Sequence, residues 1–253
     1  MDFGLSGQAA IVTGGASGIG RAVSEALGRC GVNVLLTYFA SDGGAAETVE
    51  AIELAGSRAT AMRADLTQET EATRVVETAL SEFGRIDILV ANSGGLLRRS
   101  PIVDCPLDLW NAALAVNLTS TFLTCRAVLP VMDEAGGGSI ITVSSLAAHD
   151  GGGMGAAHYA AAKGGVLTFT KALAKEAATR GIRVNGVAPG LIGTQFHDRF
   201  STPEGRKATV ARTPLAREGT PQDVANAVVF LASPLSSFLT GETIEVNGGQ
   251  GLF

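Results

Sequence analysis

The apolar positions of this chain fall into two alternating patterns. Short continuous runs rich in Val, Ile and Leu, at 9–13, 32–37, 58–63, 86–91, 139–143, 183–188 and 243–246, read as strands buried on both faces. Between them lie longer segments whose apolar residues recur at three and four. The 21–30 segment puts Ala22, Val23, Ala26 and Leu27 on one stripe. The 69–83 segment does so with Val75, Val76, Ala79, Leu80 and Phe83, and the 159–180 segment with Val166, Phe169, Thr170, Leu173 and Ala177. A further helix-like stretch covers 110–132. Strands alternating with helices predict an α/β fold: one doubly wound Rossmann-type domain over 1–253, with about seven parallel strands and helices on both faces. One segment, 193–214, breaks the rhythm. It lacks a long apolar period, carries Phe196, His197, Arg199, Phe200, Arg206, Lys207 and Arg212, and is expected to form a flap over a substrate.

Composition narrows the class. The 253 residues hold 19 Lys and Arg against 24 Asp and Glu, a net charge of −5, with 46% apolar and 17% charged residues. That is a soluble globular composition, not a disordered one, and its acidic balance speaks against nucleic acid or an anionic membrane as partner. No apolar run reads as a membrane span, and a first strand beginning at Ala9 leaves no space for a leader, so a cytoplasmic protein is expected. Cys30, Cys105 and Cys125 are odd in number and widely spaced, which predicts small buried hydrophobes rather than disulfides or a nucleophile. The histidines at 149, 158 and 197 lack metal-ligand spacing, so no metal is expected.

The chemistry is concentrated at the ends of the strands. The first strand runs into Thr13-Gly14-Gly15-Ala16-Ser17-Gly18-Ile19-Gly20 and a helix, where glycines allow close approach of a pyrophosphate and the helix N-terminus offers free N–H groups. No Gly-Lys-Ser/Thr follows, which excludes a P-loop. Tyr159 and Lys163, four residues apart, share a helix face. A phenol with pKa about 10 is a poor base at neutral pH, and a fixed ammonium one turn away favours its phenolate. Ser144-Ser145 ends a strand, Asn117 lies in the 110–132 stretch, Asn92, Gly94 and Gly95 follow the fourth strand, and Pro189-Gly190 follows the sixth. These breaks gather at the edge where doubly wound sheets bind ligands.

With these residues in place the whole chain resembles the classical short-chain dehydrogenases/reductases. The likeness rests on the 13–20 turn, Asp65-Leu66, Asn92-Ser93-Gly94, Asn117, Ser145, Tyr159, Lys163, Pro189-Gly190 and Thr194. The family's usual Asn-Asn-Ala-Gly reads Ala-Asn-Ser-Gly here, and the serine–tyrosine gap is one residue longer than usual. The resemblance implies NAD(P)-dependent hydride transfer between nicotinamide and a carbonyl or secondary alcohol. It makes Tyr159 the general acid/base, Ser145 the hydrogen-bond donor to the reacting oxygen, Lys163 the group that lowers the tyrosine pKa and holds the ribose, and Asn117 the holder of a relay water. It implies cofactor contacts from Gly14, Ser17, Gly18, Ile19, Gly20, Asp65, Leu66, Asn92, Gly94, Pro189, Gly190, Ile192 and Thr194.

The second strand ends at Tyr38, not at the acid that grips an NAD ribose, and no Arg or Lys follows nearby. Ser41 is expected to help hold a 2′-phosphate, so NADP is favoured over NAD. Local likeness to keto uronate reductases of alginate breakdown, around Gly94-Gly95, 151–156 and 194–197, makes a keto sugar acid the leading substrate. Arg98, Arg99 and the flap cations would clamp its carboxylate. The alternatives are a 3-oxoacyl thioester reductase and, in another class, a dinucleotide-binding sensor or scaffold without turnover. Family resemblance further implies a homotetramer.

Overall fold

The computed structural model describes residues 3–253 except position 41, together with the backbone alone of Asp42. Seven strands form one parallel sheet in the order β3-β2-β1-β4-β5-β6-β7. They are β1 (Ala9–Val12), β2 (Asn33–Tyr38), β3 (Ala59–Arg63), β4 (Ile88–Ala91), β5 (Gly138–Val143), β6 (Ile182–Pro189) and β7 (Thr243–Val246). β1 pairs with β2 on one side and with β4 on the other, Ile11 lying opposite both Leu35 and Leu89. Strand order reverses there, which opens a crevice above the carboxyl ends of β1 and β4.

Side-chain alternation along the strands builds two cores. One face carries Val12, Leu36, Val90 and Ile141 against α1 (Gly18–Arg29), α2 (Asp42–Leu54) and α10 (Pro221–Ala232). The other carries Ile11, Leu35, Leu89 and Ile140 against α3 (Glu69–Phe83), α5 (Ser120–Glu134) and α7 (Ala157–Ala177). Each predicted strand appears within two residues of its expected bounds. The apolar periods at 21–30, 69–83 and 159–180 fall in α1, α3 and α7.

Three features differ from the sequence reading. α2 and α10 are helices that the periodic segments do not include. The 110–132 stretch extends to Leu107–Glu134, with α4 (Leu107–Leu114) and α5 joined through a five-residue π turn, Ala115–Thr119. This 28-residue helix is long and apolar enough to cross a membrane, contrary to the expectation that no such run exists. Its apolar residues Leu123, Cys125, Val128 and Met132 are instead buried in the core beside β4 and β5. Third, the 193–214 segment is helical, with α8 (Gln195–Phe200) and α9 (Pro203–Arg212) after the short α6 (Ala147–Asp150) and before α10. Neither α8 nor α9 has a buried residue.

Candidate active site

The glycine-rich turn is held open by its neighbours. Thr13 Oγ1 accepts hydrogen bonds from the N–H groups of Asn92 and Ser93, both at 2.9 Å. Asn92 Nδ2 donates back to Thr13 O at 2.9 Å and Gly14 O at 3.2 Å. Asn92 is therefore a fastener of the loop. Gly14 has φ +64°, and a side chain on Gly20 would collide with Gly14 O and Asn92 Nδ2. At Gly18, φ +52°, the missing Cβ faces Thr194. Ser17 starts α1 without spending its hydroxyl on a cap. A cavity of about 680 Å³ opens over this helix start, lined by Ala16, Ser17, Gly18, Arg21, Gly193 and Thr194 among others. Ile19 packs against the core beneath.

At the far end of the crevice, Asp65 Oδ1 accepts from Thr67 N at 3.1 Å and Thr67 Oγ1 at 2.7 Å, and Leu66 is buried beside it. Tyr38 is the last residue of β2 and lies opposite Arg63. Arg63 Nε donates to Phe39 O at 3.1 Å, with the guanidinium 5.5 Å from the Phe39 ring centroid. A cation absent from the sequence reading thus sits beside Tyr38. It comes from the neighbouring strand, so no local spacing announces it. Ser41 lies outside the described residues.

At the centre of the site, the end of β5 is stapled to α7. Lys163 Nζ donates to Val143 O at 2.7 Å and Ser144 Oγ donates to Lys163 O at 2.9 Å. Ser145 points elsewhere: its hydroxyl accepts from Ala147 N at 3.2 Å and bonds to the Tyr159 phenol. Lys163 Nζ lies 5.8 Å from the Tyr159 ring centroid. Burial pushes the phenol pKa up, and the Ser145 hydrogen bond pulls it partly back. Burial also lowers the lysine to about 8, because a desolvated ammonium loses hydration that one carbonyl does not replace. In the protein alone, desolvation therefore outweighs the expected lowering of the tyrosine by its lysine.

Asn117 sits fully buried in the π turn. Its Nδ2 donates to Gly95 O and Ala113 O, both at 2.9 Å, and its Oδ1 accepts from Gly95 N at 3.0 Å. Both amide protons are spent on the protein. The side chain fixes the loop at Gly94-Gly95 and offers no free N–H to the expected relay water. A Cβ on Gly94 would crowd Asn117 Oδ1 and lie 3.3 Å from Lys163 Nζ, so this glycine lets the loop approach Lys163.

The remaining predicted residues line the other wall. Gly190 N donates to Val246 O at 3.0 Å, and Pro189 O accepts from Leu146 N at 2.9 Å. Ile192 bridges to Gly219, and Thr194 Oγ1 donates to Ile192 O at 3.3 Å. From there α8 brings Phe196 to Tyr159, ring centroids 5.8 Å apart, with Phe200 5.1 Å behind it. Of the cations in 193–214, Arg206 is engaged, whereas no ion pair holds Lys207 or Arg212 among the described residues. Arg206 grips Glu218 through two hydrogen bonds of 2.8 and 2.6 Å and also pairs with Asp198. Arg99 donates to two backbone carbonyls. His197 is held below the usual imidazole range by burial and by Arg206.

A glycine cradle at a helix start, a crevice at the strand reversal and a Ser–Tyr–Lys set beside it define an NAD(P)-dependent oxidoreductase. The residues fit a dinucleotide: the cradle is open where side chains would fill it. Comparisons agree. The family model described as Enoyl-(Acyl carrier protein) reductase matches residues 14–250. The chain is 38% identical over 250 residues to the 3-oxoacyl-[acyl-carrier-protein] reductase of Synechocystis sp., covering 98% of this chain and 99% of the relative. Among solved structures it is similar to a 7α-hydroxysteroid dehydrogenase complexed with NADH and 7-oxo glycochenodeoxycholic acid, at 35% identity and TM-score 0.94, covering 100% of this chain and 98% of that one. It is also similar to the NADH-dependent reductase A1-R′ responsible for alginate metabolism, at 30% identity and TM-score 0.90, covering 99% of this chain and 100% of that one. The chain belongs to the classical short-chain dehydrogenase/reductase family.

Proposed function

We propose that this enzyme reduces the ketone of a 3-oxoacyl thioester, with NADPH preferred. The observation that carries the substrate class is the wall beside the reacting phenol. It is aromatic, formed by Phe196 backed by Phe200, while the two best-placed cations are already spent, Arg206 on carboxylates and Arg99 on carbonyls. An apolar acyl body suits that wall. A keto sugar acid would have to rely for its carboxylate on the exposed Arg98, and a polyol would desolvate its hydroxyls against phenyl rings without replacement partners. The 3-oxoacyl reductase relative supports the same choice, and the alginate reductase keeps the sugar acid as the competing substrate.

A reduced nicotinamide supplies the hydride. Tyr159 Oη gives its proton to the substrate oxygen, so the carbonyl becomes a secondary alcohol with charge balanced at every stage. The Ser145 hydroxyl donates to the same oxygen and stabilises negative charge developing there. Lys163, whose pKa of about 8 lies near neutrality, favours the phenolate left behind by its positive charge nearby. Asn117 keeps the loop at Gly94-Gly95 against Lys163. For the cofactor, the absence of an acid at Tyr38 together with Arg63 next to it suits a 2′-phosphate.

We further propose a cytoplasmic homotetramer. Phe122, on α5 and 40% exposed, stacks edge-to-face on Phe169 of α7, and β7 is a half-buried edge strand, features that a second copy would cover. Light scattering of the purified protein checks the assembly.

The deciding experiment is a carbonyl panel of acetoacetyl-coenzyme A, a keto uronate and a 7-oxo bile acid, each run with NADPH and NADH. Acetoacetyl-coenzyme A with NADPH should give the highest kcat/KM, and Tyr159→Phe should lower it about 10³-fold or more while leaving dinucleotide binding nearly intact. Preference for the uronate refutes the thioester reading. Equal inertness of wild type and Tyr159→Phe across the panel supports the scaffold alternative.

A further inference from the structure

Arg99 lies outside the glycine cradle and the Ser–Tyr–Lys set, yet it joins three segments of the mouth of the site. Its Nε donates to Phe200 O, the last carbonyl of α8, at 2.9 Å, and its Nη1 donates to Met154 O at 2.7 Å. Both 151–155 and the flap are thereby tied to the loop after β4. The geometry of that loop is built around this reach. Asn117 grips Gly95, and the buried His158 ring, one residue before Tyr159, hydrogen-bonds Leu96 O through Nε2 at 3.0 Å. Leu97 is then forced to φ +63°, a left-handed conformation that costs a residue with a Cβ about 1 kcal/mol or more. Ser100 N returns to Gly155 O at 3.0 Å. On the facing segment two glycines make space: a Cβ on Gly153 would lie 3.1 Å from Arg99 Nη1, and one on Gly155 only 2.9 Å from Ser100 N.

The flap has little else to hold it. With no buried residue in α8 or α9, its position depends on polar ties rather than on core packing. On the side toward α10 the tie is Arg206 with Glu218 and Asp198. On the side of the mouth it is Arg99, an exposed residue bonding to backbone carbonyls, which are contacts water can exchange. The face of α8 so positioned carries Phe196 against Tyr159. We propose that Arg99 is a positioning residue, a releasable latch that closes the flap, and with it Phe196, over the reacting phenol. The inference rests on the reading of Tyr159 as proton donor.

The test uses the full-length enzyme with Arg99→Ala, Arg99→Lys and, as a control remote from the site, Arg180→Ala. Hydrogen–deuterium exchange of residues 195–200, which needs no turnover, should accelerate about tenfold in Arg99→Ala, the equivalent of losing about 1.4 kcal/mol of closure. Arg99→Lys keeps the charge without the planar two-carbonyl fork and should fall between Arg99→Ala and wild type, and Arg180→Ala should match wild type. With acetoacetyl-coenzyme A and NADPH, Arg99→Ala should raise KM about tenfold with kcat within about twofold of wild type, a split that general misfolding would not produce. Should Arg99→Ala fail to fold, Arg99→Lys carries both measurements. Unchanged exchange at 195–200 overturns the latch whatever the kinetics show. Wild-type inertness toward every carbonyl would instead overturn the enzymatic reading and leave the exchange result to judge the latch.

Discussion

Lys163 is 4% exposed, carries its charge beside Tyr159 and has one hydrogen-bond partner, Val143 O. Its pKa falls from 10.5 to about 8, a difference that costs the folded protonated state about 3 kcal/mol at neutral pH. Lys163→Met removes that cost and leaves Val143 O without its donor, a loss of about 1–2 kcal/mol. At pH 7 the variant should therefore unfold about 1–2 kcal/mol harder than wild type.

The sign reverses with pH. Between about 8 and 10.5 the unfolded lysine still holds a proton that the folded one has released, so raising the pH favours the folded wild type. The methionine variant gains nothing from this group. The stability difference should swing by nearly 3 kcal/mol from pH 7 to 10.5 and change sign on the way. Urea unfolding of both proteins at half-unit pH intervals measures it, and groups common to the two, Tyr159 included, largely cancel in the difference. Carbonyl reduction by the variant should fall about 10³-fold, so that it is at once more stable and nearly inactive at pH 7. A pH-independent difference, or a variant less stable than wild type at pH 7, would show that Lys163 is not held desolvated and would remove the basis for its proposed role.

Further outcomes follow from other contacts. Gly20→Ala should abolish dinucleotide binding, measured by fluorescence titration, because its methyl must displace Gly14 O or Asn92 Nδ2 and so distort the cradle. Arg63→Ala should weaken NADPH binding about fivefold and leave NADH nearly unchanged, since an exposed guanidinium contributes about 1 kcal/mol to a phosphate. Equal effects on both cofactors would place the 2′-phosphate elsewhere. Cys125, fully buried with its thiol pushed up to about 12 by desolvation, should resist an aromatic disulfide reagent at pH 8 until the protein unfolds. Cys105, half-exposed, should react in the native state.

Much of this architecture is legible from residue type alone. The strands are continuous apolar runs because both faces of the sheet are covered. α10 also left a signature that apolar period alone does not exploit. Thr220 and Asp223 form a reciprocal capping box around Pro221, directly ahead of Val224, Val228 and Val229. α2 offers less, for it opens on Gly43-Gly44 and its apolar residues are spread around the helix. The flap carries too few apolar residues for periodicity to mark its two helices, and its Pro203 after Thr202 is a start signal whose weight appears only beside the Thr202 cap on Gly205 N.

The site divides along the same physical line. Gly14, Gly20, Tyr159 and Lys163 can be read in the sequence because their constraint is local: a Cβ that does not fit, or two side chains one helical turn apart. Arg63 escapes the sequence reading and Arg99 enters it only as a clamp for a substrate carboxylate, since each bonds to backbone carbonyls, Phe200 O and Met154 O in one case and Phe39 O in the other. A carbonyl is the same atom in every residue, so these partners leave no mark in the side-chain pattern. Hence the glycine turn and the Tyr159–Lys163 pair are visible in the sequence, while the carbonyl contacts of Arg99 and Arg63 emerge only from the fold.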